Sequence, residues 1–415
     1  MHPLRSHAFQ AMPHRQDGLS IVEMMVALAI GIFFVHPQLT LPAYTRFVDG
    51  TGPIFAGKIF PFCFITIACG AVSGFHSLIS SGTTPKMLAR EKYATPTGYG
   101  SMLLESLVAI MALIAAASMQ PGLYFAVNSP AGVVGSTPEA ATAMISSWDP
   151  KFAVTPAEMQ SWADRVGEKT LFYRTGGAPS LALGMANIFS KILGNDSVLA
   201  FWYHFAIMFE ALFILTIMDT GTRVGRFMLQ ELLGNVWPKM GQTNWTPGVL
   251  MASGSIVAAW GYFLYQGVVD PLGGINSLWP LFGISNQLLA AVALCVSTTV
   301  LIKMHGKKYM WVTCVPLAWL VIVCFTAGWQ KIFDASPALG FLAQADALAK
   351  GPQTAATATL IFNARLDAAV TAIFLFLVAV ILIDSLRVWA GILGGSKKPV
   401  MTETPFVPSQ LAEEL

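Results

Sequence analysis

The sequence predicts an all-α, polytopic membrane protein with about eight transmembrane helices and re-entrant segments between them. Three observations carry this. Of 415 residues, 55% are hydrophobic and 11% charged, against about 25% charged in ordinary soluble domains. The apolar residues fall in runs close to the roughly 20 residues that a helix needs to cross a bilayer. Lys and Arg gather in every second connection between those runs, as they do in loops kept on the cytoplasmic side. The same composition excludes a soluble enzyme and a disordered chain.

Along the chain the expected spans are Leu19–Val35, Ile59–Ile79, Tyr99–Met119, Val198–Met218, Pro247–Val269, Ile284–Ile302, Tyr309–Trp329 and Leu366–Trp389. Ala178–Leu193 is also apolar but short, and Gly184, Asn187 and Lys191 interrupt it. It reads as a re-entrant or interfacial helix. Basic residues follow the second span (Lys86, Arg90, Lys92), the fourth (Arg223, Arg226, Lys239), the sixth (Lys303, Lys307, Lys308) and the last (Arg387, Lys397, Lys398). That alternation puts both termini in the cytoplasm and Gln120–Gly177 and Lys331–Arg365 outside. Val224–Met240 is amphipathic and is expected along the inner interface, with Phe227, Leu232 and Trp237 toward lipid. The implied division is a leader and first helix over 1–35, a membrane body over 36–390 and a cytoplasmic tail over 391–415.

The formal net charge of +2 and the lack of a basic stripe give no reason to expect a nucleic-acid partner. The cysteines, Cys63, Cys69, Cys295, Cys314 and Cys324, lie in apolar runs without Cys-x-x-Cys spacing, so their expected role is small hydrophobic packing. The histidines form no metal-ligand array, and there is no phosphate-binding loop or GxSxG nucleophile turn. No metal, cofactor or enzymatic activity is expected.

Three stretches carry functional chemistry. In Cys69–Lys86, Gly70, Gly74 and Gly82 loosen the helix, while His76, Ser77, Ser80, Ser81 and Thr83 supply polar groups. Non-helical backbone at membrane depth is tolerated only against protein or a water-filled cavity, so this segment reads as a discontinuous helix or as a glycine-rich helix contact. In the fourth span, Glu210 lies mid-membrane, Asp219 at the cytoplasmic end and His204 on a different face from Glu210. Glu105 in the third span is another intramembrane carboxylate, and such groups mark substrate or ion pathways. The third stretch, Trp260–Gln287, is broken by Pro271, Gly273, Gly274, Pro280 and Gly283. It reads as re-entrant, with Asn276, Asn286 and Gln287 turned to a polar cavity, or as a packed extracellular cap.

The start of the chain stands apart. Gly18 precedes Leu19-Ser20-Ile21-Val22-Glu23-Met24-Met25-Val26-Ala27-Leu28-Ala29-Ile30-Gly31, which resembles a type IV prepilin leader and the first turns of the pilin helix. The resemblance implies cleavage after Gly18 and a subunit-aligning role for Glu23. An ordinary signal anchor is the other reading of the same residues.

From about His36 to Trp389 the chain resembles the carbon starvation protein A (CstA) family of bacterial inner-membrane transporters. Phe75-His76-Ser77-Leu78, Asp219-Thr220-Gly221-Thr222-Arg223 and Trp279-Pro280-Leu281-Phe282-Gly283 carry the resemblance. It implies an inverted-repeat fold with broken helices, a peptide or small carboxylate such as pyruvate as substrate, and a proton or sodium ion as coupling ion. Family proteins begin with several further spans, so the resemblance starts mid-pattern and implies a partial repeat, with a partner subunit as one source of the absent spans. The expected function is uptake under carbon starvation, with Glu210 or Glu105 carrying the proton. The alternatives are an inactive fusion or fragment of such a transporter, and a pilin-like assembly component.

Overall fold

The structure, a computed structural model, describes residues 21–193, 196–242, 245–269 and 279–399. All regular elements among the described residues are helical, and no strand occurs there. Six helices are long and apolar enough to cross a membrane: Glu91–Ala117, Val198–Gly234, Thr246–Tyr265, Leu281–His305, Met310–Phe333 and Ala355–Leu393. They correspond to the third to eighth expected spans. Their outer faces stay apolar and uncovered, as at Leu215 (60% exposed) and Phe376 (67%), which suits a lipid solvent rather than water.

The first expected span is described only from Ile21, as helix α1 (Ile21–Val35). The second span is not one helix. It divides into α2 (Ile59–Thr66), α3 (Ala68–Ala71) and α4 (Gly74–Gly82), followed by the single turn α5 (Thr84–Met87). The third span is α6 (Ser101–Ala117), entered through a π-helical turn at Pro96–Gly100.

Residues 120–177, expected only as an external connection, fold into a helical unit of their own. Its helices are α7 (Pro121–Asn128), α8 (Ala131–Val134), α9 (Pro138–Trp148) and α10 (Pro156–Val166). Each long member starts as soluble helices do. Proline stands in the first turn of α7, α9 and α10, Thr137 caps α9, and Thr155 with Glu158 forms a reciprocal capping box on α10, satisfying donors that would otherwise be orphaned. Phe125, Phe152, Ile145, Met159 and Val166 are buried beneath them.

The expected re-entrant stretch is a single helix, α11 (Ala178–Leu193), which packs against α1, α6, α7 and α12 (Asp196–Gly234). Leu28 of α1, Met111 of α6 and Tyr203 of α12 join the same buried cluster. Helix α12 runs on to Gly234, so most of the segment expected along the interface, Val224–Gly234, instead prolongs the span. Val224 and Gln230 are buried there, where α12 meets α4 and α13 (Thr246–Val269). Leu232 stays 66% exposed.

The remaining long helices are α14 (Trp279–His305), α15 (Met310–Phe333) and α17 (Ala355–Leu393), with the short α16 (Phe341–Ala349) against the last two. Helix α14 is their centre, touching α2, α3, α4, α15 and α17. Several polar groups inside this bundle are paired, although Gln330 Oε1 of α15 is buried without a hydrogen-bond partner. Thr298 donates to Thr313 Oγ1 at 2.8 Å, and Trp389 Nε1 donates to Thr299 Oγ1 at 2.8 Å. Lys331, 3% exposed, donates to the Ala56 carbonyl at 2.7 Å and sits over the rings of Phe55, Phe62 and Phe341. Beside it Lys58 and Asp334 form an ion pair at 2.9 Å. The chain is thereby pinned to the end of α15 just before α2 begins.

Candidate functional site

The break between α3 and α4 falls at Val72 and Ser73, both extended. Glycine allows the flanking helices to come close to their neighbours. A Cβ on Gly70 would lie 2.4 Å from Ala109 Cβ of α6, and one on Gly74 would lie 1.8 Å from the Asn286 carbonyl oxygen of α14. A helix start leaves amide donors without partners. Here Ser73 Oγ accepts from the His76 amide at 3.3 Å, and Asn286 Oδ1 accepts from the Phe75 amide at 2.9 Å. On the far side of the break, Gln287 Nε2 donates to the Phe64 carbonyl. Adjacent residues of α14 thus hold both sides of the interruption.

Asn286 and Gln287, expected to turn toward a polar cavity, are 3% and 1% exposed, and each bonds backbone of the broken segment. An unpaired amide buried in the protein would cost about 1–3 kcal/mol, which is the physical need they meet. Asn276 and the rest of 270–278, the centre of the expected re-entrant stretch, lie outside the described residues.

The polar space opens on the other side of the broken segment. A cleft of about 630 Å³ lies between it and α6, where His76, Ser77 and Ser80 of α4 oppose Ser101, Glu105 and Ser106. Its size falls within the roughly 300–1,000 Å³ of small-molecule sites. Thr97 and Gly98 of the π-helical turn complete its rim; such turns are frequent at functional sites. His76 Nδ1 lies 3.0 Å from Glu105 Oε2, and the Cys69 thiol donates to Glu105 Oε1 at 2.6 Å. The Glu105 carboxylate therefore bridges α3 and α4. An imidazole and a carboxylate in hydrogen-bond contact can exchange a proton without leaving a net charge uncompensated in the membrane.

Of the other sequence-derived residues, Ser81 returns its hydroxyl to the Ser77 carbonyl and the buried Thr83 returns its own to Ile79. Glu210 belongs to a separate, apolar cavity of about 150 Å³ bounded by α1, α6, α11 and α12. His204 is exposed, near Gly167, and Asp219 pairs with Arg223 one turn on at 2.9 Å. The structure thus joins His76 with Glu105 and leaves His204, Glu210 and Asp219 elsewhere. Gly18 lies outside the described residues, and Glu23 falls within α1.

Cys69 was missed. Reading every cysteine as packing overlooked that it stands two helical turns before His76, a spacing that shares a face on an ideal helix. Its Sγ, His76 Nδ1 and a Glu105 oxygen all lie within 4.8 Å of one another. These are the described side chains that could hold a metal ion.

Residues 18–327 match the model of the family described as carbon starvation protein CstA. The peptide transporter CstA of Escherichia coli is 52% identical over 398 residues, which cover 92% of this chain and 56% of the relative. The pyruvate/proton symporter BtsT of the same organism is 46% identical over 419 residues, covering 93% and 58%. The peptide transporter CstA of Helicobacter pylori is 46% identical over 393 residues, covering 92% and 57%. The chain thus spans a little over half the length of these relatives, whose names are those of transporters and not of enzymes. No solved structure matches it. The matched region includes α1, and the resemblance of that helix to a pilin start finds no support in these comparisons. With most of its length inside the family match, the chain belongs to the carbon starvation protein CstA family.

Proposed function

We propose that the chain acts in secondary transport of peptides or pyruvate across a bacterial inner membrane, coupled to protons at the His76–Glu105 pair. The observation that carries this is the cleft at the helix break, where a paired imidazole and carboxylate stand among serine hydroxyls. Discontinuous helices commonly place substrate and coupling sites near the bilayer midplane. The serines offer hydrogen bonds to a carboxylate or peptide group, and the pair offers a proton that can be taken up on one side and lost on the other. Glu105 takes the coupling role in preference to Glu210, whose cavity is small and apolar. The family's peptide transporters and pyruvate/proton symporter support both substrate classes.

The test is uptake of labelled dipeptide and labelled pyruvate into proteoliposomes under an inward proton gradient. Accumulation of one of them, abolished by a protonophore, is expected. Glu105→Gln should keep the protein inserted and remove accumulation against a gradient. Failure of the inserted wild-type chain to accumulate either solute overturns the reading.

A further inference from the structure

We propose that Cys69, His76 and Glu105 form a binding site for a borderline-soft divalent transition metal, with Zn2+ as the reference ion. The donors come from three helices that converge on one cleft: the thiol from α3, the imidazole from α4 and the carboxylate from α6. Sulfur and nitrogen donors select against Mg2+ and Ca2+, which take oxygen ligands, and in favour of zinc-like ions. One thiolate and one carboxylate neutralise a divalent charge, with the imidazole bound neutral, so the complex carries no net charge into a region of low dielectric.

The separations suit the exchange of protons for a metal. Tetrahedral zinc bonds of about 2.0–2.3 Å place donor atoms roughly 3.3–3.7 Å apart. Glu105 Oε2 now lies 3.0 Å from His76 Nδ1, Glu105 Oε1 lies 2.6 Å from Cys69 Sγ, and the three ligand atoms lie within 4.8 Å of one another. Replacing those protons by one ion widens each Glu105 contact by about 1 Å or less, a movement within side-chain reach. The cleft supplies an approach from outside and room for water at the fourth position. Ser73 Oγ, 3.4 Å from Cys69 Sγ, provides a supporting hydroxyl. Because the thiol must lose its proton and the imidazole must be neutral, affinity falls as pH falls.

Metal binding by the purified chain is measured independently of uptake. The experiment is titration of the full chain in detergent with Co2+, followed by thiolate-to-cobalt charge-transfer absorption, then displacement with Zn2+. One equivalent per chain is expected, with the band lost on displacement. Cys69→Ser should abolish the band. His76→Ala and Glu105→Gln should each weaken Co2+ binding by at least about tenfold, the loss that even an outer-shell change produces. Cys63→Ser, at an exposed cysteine on α2 outside the cluster, should leave the titration unchanged. Circular dichroism and elution profile verify that each variant is folded, and Cys69→Ala is a second variant at the key position. No saturable band with folded wild-type protein, or a band that survives both Cys69 substitutions, overturns the proposal.

Discussion

Residues 59–82 and α17 draw on the same apolar vocabulary, yet the first divides into three helices while the second runs unbroken for 39 residues. Segment 59–82 has Gly70, Gly74 and Gly82 within it, whereas α17 has no glycine or proline before Gly391. Weak helical propensity is only part of the difference. A break exposes amides and carbonyls that a membrane cannot solvate. At 59–82 Asn286, Gln287 and Ser73 accept or supply those bonds. Along α17 a buried side-chain oxygen such as that of Thr371 turns back to its own helix at Asp367. A helix break in this protein therefore needs both a yielding sequence and a neighbour built to receive it.

The sharpest way to break the comparison is Gly74→Ala. Its new methyl group would fall on the Asn286 backbone, which cannot swing away as a side-chain tip can. We expect a loss of about 3 kcal/mol or more, at or beyond the usual range for overpacking, seen as a large drop in midpoint on unfolding in detergent. Gly254→Ala on α13, where a Cβ meets open space, is the control and should be neutral or slightly stabilising. Next comes Gln287→Leu, which removes the donor to the Phe64 carbonyl and should cost about 1–3 kcal/mol while leaving the unfolding transition cooperative.

How far the sequence foretells this site follows from the same residues. The glycine spacing marks where the chain yields, and intramembrane Glu105 and His76 stand out as polar groups without a reason to be there. Which helix answers them does not show, because Asn286 and Gln287 lie more than two hundred residues away and periodicity does not say which face meets a break. Hence the expectation of a cavity at Asn286. The pairing of Glu105 with His76, and the placing of Glu210 in a separate cavity, are likewise tertiary facts. For 120–177, balanced charges and Pro, Gly and Ser punctuation read as a connection, yet Pro and Thr at the starts of α9 and α10 are local helix-start signals.

Two smaller effects sharpen the comparison. Ala372→Gly puts a glycine at an exposed position of α17. It should cost about 1 kcal/mol without breaking the helix, since no neighbouring cap waits for it. Helical content by circular dichroism would stay within error of wild type. The smallest effect is at Lys58 and Asp334. Hydrogen bonds from Lys58 and from the Ser336 amide hold the Asp334 carboxyl below the ordinary value of 3.8. Its contribution is therefore complete above that pH and is lost as pH falls from 3.8 through the depressed value. With Lys58 43% exposed, solvent screening limits the change to about 1 kcal/mol or less. Stability measured from pH 5 downward, with Asp334→Asn as reference, checks it: the variant should lack this part of the acid dependence.

The cleft beside the broken helix is the proposed substrate site. Cys69 lines that cleft, and Cys63 is exposed outside it. The decisive measurement is the rate at which a water-soluble maleimide labels each cysteine, with and without saturating dipeptide or pyruvate. One of these solutes is expected to slow labelling at Cys69 and leave Cys63 unchanged. Equal labelling of Cys69 with and without both solutes would contradict it.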